Sequence, residues 1–248
     1  MGLARLIAAA SNAGMDHADA PSLFRPLLPD SVWLAEMPPD RADPTALPLD
    51  ELRQIERAVP KRRLEFAAGR QLARRLLIEA GQGVDAMPSD ADRVPRWPDA
   101  VVGSITHCRS LCAVAVAQRS MFLGIGLDAE PAEPMNPDLL PQVLREPEFA
   151  RLREWPQRWR DLAGILAFSA KEALYKSIYP VHRVFLDFQD VELLWSGFEP
   201  DEGGLLATFE GHVRVPQATF PGMTRIVGRA RVAHGHVGTV VVLPSARA

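Results

Sequence analysis

VVGSITHCRSLCAVAVAQRSMFLGIGLDAE, residues 101–130, is the stretch on which the fold turns. Two apolar runs on either side of Cys108-Arg109-Ser110 predict a hairpin of buried strands over 101–118. The next run, 121–130, predicts a further strand that ends in carboxylates, Asp128 and Glu130. Residues at i and i+2 of a strand share a face. Like charges placed so repel unless something neutralises them. The apolar run from Met121 to Leu127 puts the pair at the mouth of a core strand. Mg²⁺ prefers such oxygens and commonly also takes substrate phosphate oxygens; two solvated acids at a strand end are the plainer alternative.

Outward from this stretch, residues 49–80 carry apolar side chains at helical spacing and stop at Gly81. Residues 86–99, with Pro88, Pro95 and Pro98, read as loop, as does the Pro- and Asp-rich segment 36–50. Residues 1–50 as a whole are weakly patterned. Downstream, the Pro-rich segment 131–147 reads as a link between two lobes, and 149–179 as one or two helices. Strand-like segments follow at 184–195, 204–211 and 225–243. Each half runs helix, then strands, which is compatible with two α+β halves of similar size.

The chain has 248 residues, 47% hydrophobic and 24% charged, enough for one large domain or two small lobes and too ordinary for a disordered or fibrous protein. A net charge of −3 argues against a wholesale nucleic-acid binder. Cys108 and Cys112 cannot build a disulfide framework, and with His107 they match no recurring zinc spacing, so they read as small core-filling residues. No apolar stretch approaches the roughly 18 residues of a membrane span. The opening MGLARLIAAASNAG is too Ala-rich for a signal peptide, and Leu6 breaks the myristoylation pattern. A soluble, cytoplasmic protein is expected. P-loop, nucleophile-elbow and His-Glu-x-x-His motifs are absent from the sequence.

Of the 28 Lys and Arg, only three are Lys: Lys61, Lys171 and Lys176. Two of them flank Glu172 in LAFSAKEALYKSIYP (166–180), with Tyr175 and Tyr179 beside them. The helical stripe Ile165, Phe168, Glu172, Tyr175, Tyr179 sets one acid in an apolar face. A buried carboxylate is costly unless paired or metal-bound. Glu172 is therefore a candidate third metal ligand, against the alternative of an i,i+4 pair with Lys176 worth about 0.2–0.5 kcal/mol. Lys171 and Lys176 would be compact point charges suited to phosphate. In GSITH (103–107), Gly103 permits close backbone approach, Ser104 offers a hydroxyl and His107 a donor to an anion. Arg57, Lys61, Arg62, Arg63, Arg70, Arg74 and Arg75 form a basic cluster. Such a run is usually a solvated face. Arg63, Arg70 and Arg74 nevertheless share one side with Arg62 close by, a surface of forks for phosphate to which Arg93 would add.

Taken in order, these residues form a set. Arg62-Arg63…Glu65-Phe66…Gly69-Arg70, Trp97-Pro98…Gly103-Ser104-Ile105-Thr106-His107, Gly126-Leu127-Asp128-Ala129-Glu130 and Phe168-Ser169-Ala170-Lys171-Glu172-Ala173-Leu174-Tyr175-Lys176 resemble the 4′-phosphopantetheinyl transferase superfamily. The resemblance is to the long Sfp type, and most to its enterobactin-synthetase component D branch. It covers about residues 62–176, roughly half the chain. It implies an α+β fold of two similar α/β lobes related by a pseudo-two-fold, 1–122 and 123–248, with the active site in the cleft between them.

The implied reaction moves 4′-phosphopantetheine from coenzyme A to a serine of an apo acyl or peptidyl carrier protein and releases adenosine 3′,5′-bisphosphate. By the same resemblance, Asp128, Glu130 and Glu172 would bind Mg²⁺ with the pyrophosphate. Arg62, Arg70, Arg93, Ser104 and His107 would hold the coenzyme A phosphates, and Lys171 and Lys176 would stand by the transferring group. The expected state is a monomer. Phosphoryl-type transfer needs positioning and charge neutralisation more than covalent chemistry, which suits this set. Glu172 and a metal-bound water are both candidates for the base. A binding module that kept the fold without catalysis and a Mg²⁺ phosphohydrolase are the competing readings. Siderophore, polyketide, non-ribosomal peptide and fatty acid carriers are all compatible with the sequence.

Overall fold

The computed structural model describes residues 21–201, 204–215 and 225–245. The reading of residues 1–14 falls outside them. The first half contains β1 (Trp33–Met37), α1 (Leu49–Gln54), α2 (Pro60–Glu79), β2 (Val101–His107) and β3 (Cys112–Gln118). The strands form an antiparallel sheet in the order β1-β3-β2. Pro60 sits in the first turn of α2, where its missing N–H is not needed. Gly81, at φ +71, ends the helix: its N–H donates to Ile78 O and that of Gln82 to Leu77 O. This is a Schellman cap, which a residue with a Cβ resists. The apolar face of α2 buries Ala67, Ala68, Leu72, Ala73, Leu76 and Leu77 with Val114 and Val116 of β3.

The second half contains β4 (Phe122–Pro131), α3 (Leu140–Val143), α4 (Glu146–Arg151), α5 (Gln157–Arg160), α6 (Ala163–His182), β5 (Val191–Asp201), β6 (Gly204–Val213), β7 (Arg225–Ala233) and β8 (His236–Pro244). Its antiparallel sheet runs β4-β8-β7-β6-β5. The 20-residue α6 lies across it and buries Ala167, Ala170, Ala173, Leu174 and Ile178 with Leu193, Phe209 and Val241. The two halves are alike in plan: one long helix across one antiparallel sheet, of three strands in one and five in the other.

Two expectations need correcting. Residues 131–147 do not link lobes. The chain passes from β3 to β4 through Arg119–Met121 alone, and 137–151 is a string of short helical turns packed on α6. Their prolines stand in first turns and open helices rather than break them. Residues 1–50 also hold a strand, β1, and a segment that crosses to the other sheet. Leu23, Phe24, Leu27 and Val32 share a core with Ile125, Leu127 and Val240. Arg231 Nη1 donates to Ser22 O at 2.6 Å. The sheets part between β3 and β4, but the core does not.

The halves also meet along a seam. β2 and β4 are edge strands of their sheets, and side chains rather than backbone stitch them together. Ser104 Oγ accepts Leu127 N–H at 3.0 Å and Thr106 Oγ1 accepts Ala129 N–H at 3.0 Å. Both hydroxyls lie on the β4 side of β2 because they are two residues apart. No described helix is long and apolar enough to cross a membrane.

Candidate active site

α6 lies on β4 closely enough that only glycine fits beneath it. A Cβ at Gly126 would stand 1.8 Å from Ala173 O, and one at Gly124 2.3 Å from Ser177 O. Contact this close sets Glu172 and Lys176, one helical turn apart, over Asp128 and Glu130. Lys176 Nζ donates to Asp128 Oδ1 at 2.5 Å. Asp128 is 3% exposed, and its Oδ2 is buried with no hydrogen-bond partner among the described residues.

The charges in this cluster work against one another. Burial, then the Asp128 carboxylate, push Glu130 up to about 7; Lys176 opposes this and Glu172 adds to it. Glu172 is likewise raised by burial and by Asp128, with Lys176 opposing. Burial disfavours the Lys176 ammonium, but Asp128, Glu172 and Glu130 together outweigh it and raise its pKa. Three carboxylates thus share one ammonium, an excess of negative charge that a divalent cation would relieve.

Among the described residues no three His, Cys, Asp or Glu close into a ready-made metal cage. Mg²⁺ does not need one: it commonly keeps waters and takes one or two carboxylates together with substrate phosphate oxygens. The buried, unpartnered Oδ2 of Asp128, with Glu130 and Glu172 nearby, fits that use.

A cavity of about 700 Å³ opens beside this cluster. α2 and β2 wall it on one side and α6 on another, while residues of the loop from Ser89 to Trp97 cover it. Arg70, 4% exposed, is among its lining residues; it donates from Nη2 to Ser89 Oγ at 2.7 Å and stacks 4.5 Å from the Phe66 ring centroid. Its Nε is buried with no partner among the described residues. Burial first, with Arg74 and Arg62 assisting against Glu51, pulls its pKa down to about 10. A cation in this state is stabilised by an anion.

Arg62 Nη1 donates to His107 Nε2 at 2.6 Å, which leaves the ring proton on Nδ1 facing Glu65 Oε2 at 3.6 Å. Burial lowers the His107 pKa, Glu65 opposes, and Arg62 and Lys176 lower it further, so the ring is a neutral donor-acceptor. Ser104 accepts from β4 through its hydroxyl and is among the residues that line the cavity. Arg93, at φ +65, lies on the cavity wall.

Asp128, Glu130, Glu172 and Lys176 therefore come together, and Arg62, Arg70, Arg93, Ser104 and His107 line the adjoining cavity. Lys171 does not join them. It is 3% exposed, and its Nζ is capped by Val143 O at 2.7 Å, Glu148 Oε2 at 2.8 Å and Phe188 O at 3.0 Å. The step of about five residues from it to Lys176 turns a helix by roughly 140° at ~100° per residue, so the two ammonium groups leave α6 on different sides.

Three members of the basic cluster are also committed elsewhere: Arg74 to Glu51 at 2.5 Å, Arg75 to Glu79 at 3.1 Å, and Arg63 to the carbonyls of Glu56 and Ala58. Sequence reasoning placed Glu65 in a motif but assigned it no role; it is 9% exposed and within 4 Å of Lys61, Arg62 and His107. It also undervalued Gly124 and Gly126, whose signal was a Gly at i and i+2 on one face of a strand.

Two family models match the chain. That of the 4′-phosphopantetheinyl transferase N-terminal domain covers residues 50–117, and that of the 4′-phosphopantetheinyl transferase superfamily covers 124–215. The chain is 34% identical over 227 residues to 4′-phosphopantetheinyl transferase Npt of Nocardia iowensis, across 88% of this chain and 99% of that one. It is 32% identical over 231 residues to 4′-phosphopantetheinyl transferase PptT of Mycobacterium tuberculosis, across 90% and 98% of the two chains. Its similarity to enterobactin synthase component D of Escherichia coli K12 is 36% over 140 residues, across 55% and 65%. The similarity to the first two thus covers most of the chain, and that to the third just over half of it.

Proposed function

The chain belongs to the 4′-phosphopantetheinyl transferase superfamily, and from that premise we propose that it transfers the 4′-phosphopantetheine arm of coenzyme A to a serine hydroxyl of an apo acyl or peptidyl carrier protein. The observation that carries this reading is the polarity of one continuous site. A buried guanidinium with an unpartnered Nε and the Lys176 ammonium that holds the acid cluster line the same cavity. Coenzyme A has phosphates to place at both.

In this reading Arg62, Arg70, Arg93, Ser104 and His107 bind the phosphates of the nucleotide end. Arg forks grip phosphate in two places, and the Ser104 hydroxyl supplies a donor that needs no counter-charge, as would His107 once its one ring proton turned from Glu65. Asp128, Glu130 and Glu172 would hold Mg²⁺. The metal, when bound, would polarise the β-phosphate and offset the charge of the departing bisphosphate.

The serine oxygen attacks the β-phosphorus, and the bond from that phosphorus to the oxygen bridging to the α-phosphate breaks. Adenosine 3′,5′-bisphosphate leaves, with Lys176 placed to neutralise developing charge on phosphate oxygen. The serine proton passes to a base; the raised pKa of Glu172 supports its carboxylate in that role beside the alternative of a metal-bound water. Such a transfer rests on positioning and electrostatics. The pseudo-two-fold relation of the halves, a cytoplasmic monomer and the absence of nucleic acid from the reaction belong to the same reading.

The test is release of adenosine 3′,5′-bisphosphate from coenzyme A with Mg²⁺, followed with and without an apo carrier. Release that requires the carrier supports the transferase. Equal release without it would make the protein a phosphohydrolase, and no release with any carrier a binding module. The enterobactin synthase relative puts a siderophore-pathway carrier first among those to try.

A further inference from the structure

The loop over the cavity is tied to the opposite wall by Arg183 through Asp90, and by a Tyr179–Asp92 side-chain hydrogen bond beside it. Arg183 ends α6 at φ +55, its N–H donating to Tyr179 O at 2.8 Å. Its guanidinium then crosses to the loop. Nη1 lies 2.6 Å from Asp90 Oδ2 and 3.5 Å from Asp92 Oδ2, and the group stands 5.6 Å from the Tyr179 ring centroid.

Asp90 spends its other oxygen inside the loop. Oδ1 accepts Asp92 N–H at 3.0 Å and Val94 N–H at 2.9 Å. The backbone of Asp90 also donates to Val94 O at 2.9 Å and accepts from Arg93 N–H at 3.0 Å. The turn wound on Asp90 places Arg93 at φ +65, a region that side chains with a Cβ disfavour. Such a residue persists where its surroundings over-determine it. One oxygen of Asp90 holds the turn, and the other is held by Arg183.

We propose that Arg183 is a positioning residue for Arg93. Through Asp90 it anchors the turn that presents the Arg93 guanidinium to the cavity, and so it sets the affinity for the phosphates of coenzyme A. The proposal rests on the reading of this cavity as the coenzyme A site. An exposed ion pair by itself contributes little to stability, and as mere surface decoration it would leave coenzyme A binding unchanged. Acting through Arg93, it gives two losses that do not multiply.

The test is isothermal titration of coenzyme A into the wild-type protein, Arg183→Ala, Arg93→Ala and the double variant, with kcat and KM measured alongside. Arg93→Ala should weaken binding about tenfold and Arg183→Ala about three- to tenfold, as raised KM with kcat nearly unchanged. The double variant should be no weaker than Arg93→Ala, and Arg183→Lys should recover most of the loss. Arg183→Gln, which keeps the stem of the side chain, repeats the measurement if the alanine variant does not fold. Wild-type affinity in Arg183→Ala or Arg183→Gln, or losses that multiply in the double variant, would overturn the proposal while leaving the site reading intact. A wild-type protein that does not bind coenzyme A would remove both.

Discussion

At the scale of single residues, Lys171 and Lys176 separate two uses of the same side chain. Lys176 is 29% exposed at its side chain and faces Asp128 beside the cavity, whereas Lys171 is sealed against Glu148 and two carbonyls. Lys176→Arg keeps the charge and changes its size and geometry. It should lower kcat about tenfold with coenzyme A affinity nearly unchanged, and wild-type kcat would show that charge alone suffices. Lys171→Met strands the buried Glu148 carboxylate, and removing one partner of a buried pair costs about 3–5 kcal/mol. At ~2–4 °C per kcal/mol for a chain of this size, Tm should fall by about 10 °C, while the folded fraction keeps its kcat; an unmoved Tm would refute the structural role.

Glu130 adds a pH dependence. Its folded pKa of about 7 lies above its ordinary 4.5. Its contribution to stability is therefore fully present below about 4.5 and is lost as pH rises to about 7. Mg²⁺ competes with that proton, so the rise in Tm on adding Mg²⁺ should be larger at pH 8 than at pH 6; equal rises would take Glu130 out of the metal site. The sequence showed the acids and Lys176 because their types were odd for their surroundings. It could not separate Arg70 from Arg74, which share a helix face, because Glu51, the partner of Arg74, lies on a different short helix.

At the scale of elements, the site depends on how closely α6 lies on β4. Gly126→Ala would drive a methyl group into Ala173 O. Overpacking of this kind costs typically about 1–3 kcal/mol, and here it also lifts Glu172 and Lys176 away from Asp128. The variant should lose both Tm and kcat, the latter by more than tenfold. A loss of Tm alone, measured on the folded fraction, would show that the helix height does not matter to the chemistry. The hairpin of β2 and β3, the two long helices and β6 were legible from their apolar patterns, whereas the strand expected over 184–195 starts only at Val191 and the segment 225–243 divides into β7 and β8. β1 is too short to show a period, and the turns over 137–151 hid behind prolines that open helices in the structure. The seam was not legible as such: Ser104 and Thr106 were quoted as a motif, but their role as acceptors for β4 amides depends on two sheet edges that meet only in the fold.

At the scale of the whole molecule, the sheets part between β3 and β4, whereas the prolines of 131–147 pointed to a link further on. The shared core was not legible, because residues 21–32 cross from one sheet to the other over contacts remote in sequence. Those contacts and the β2–β4 seam hold one half's cationic cavity wall against the other half's acid cluster. Neither half has both, so the account's central claim concerns the assembled site: it moves a phosphopantetheine group from coenzyme A to a carrier serine. The measurement that meets this claim most directly is the intact mass of an apo carrier after incubation with the protein, coenzyme A and Mg²⁺, run beside the same carrier with its acceptor serine changed to alanine and beside the Asp128→Ala enzyme. The account predicts a gain of one phosphopantetheine on the serine carrier with the wild-type enzyme and no gain in either control. An unchanged mass across acyl and peptidyl carriers, with the protein folded and coenzyme A bound, would contradict it.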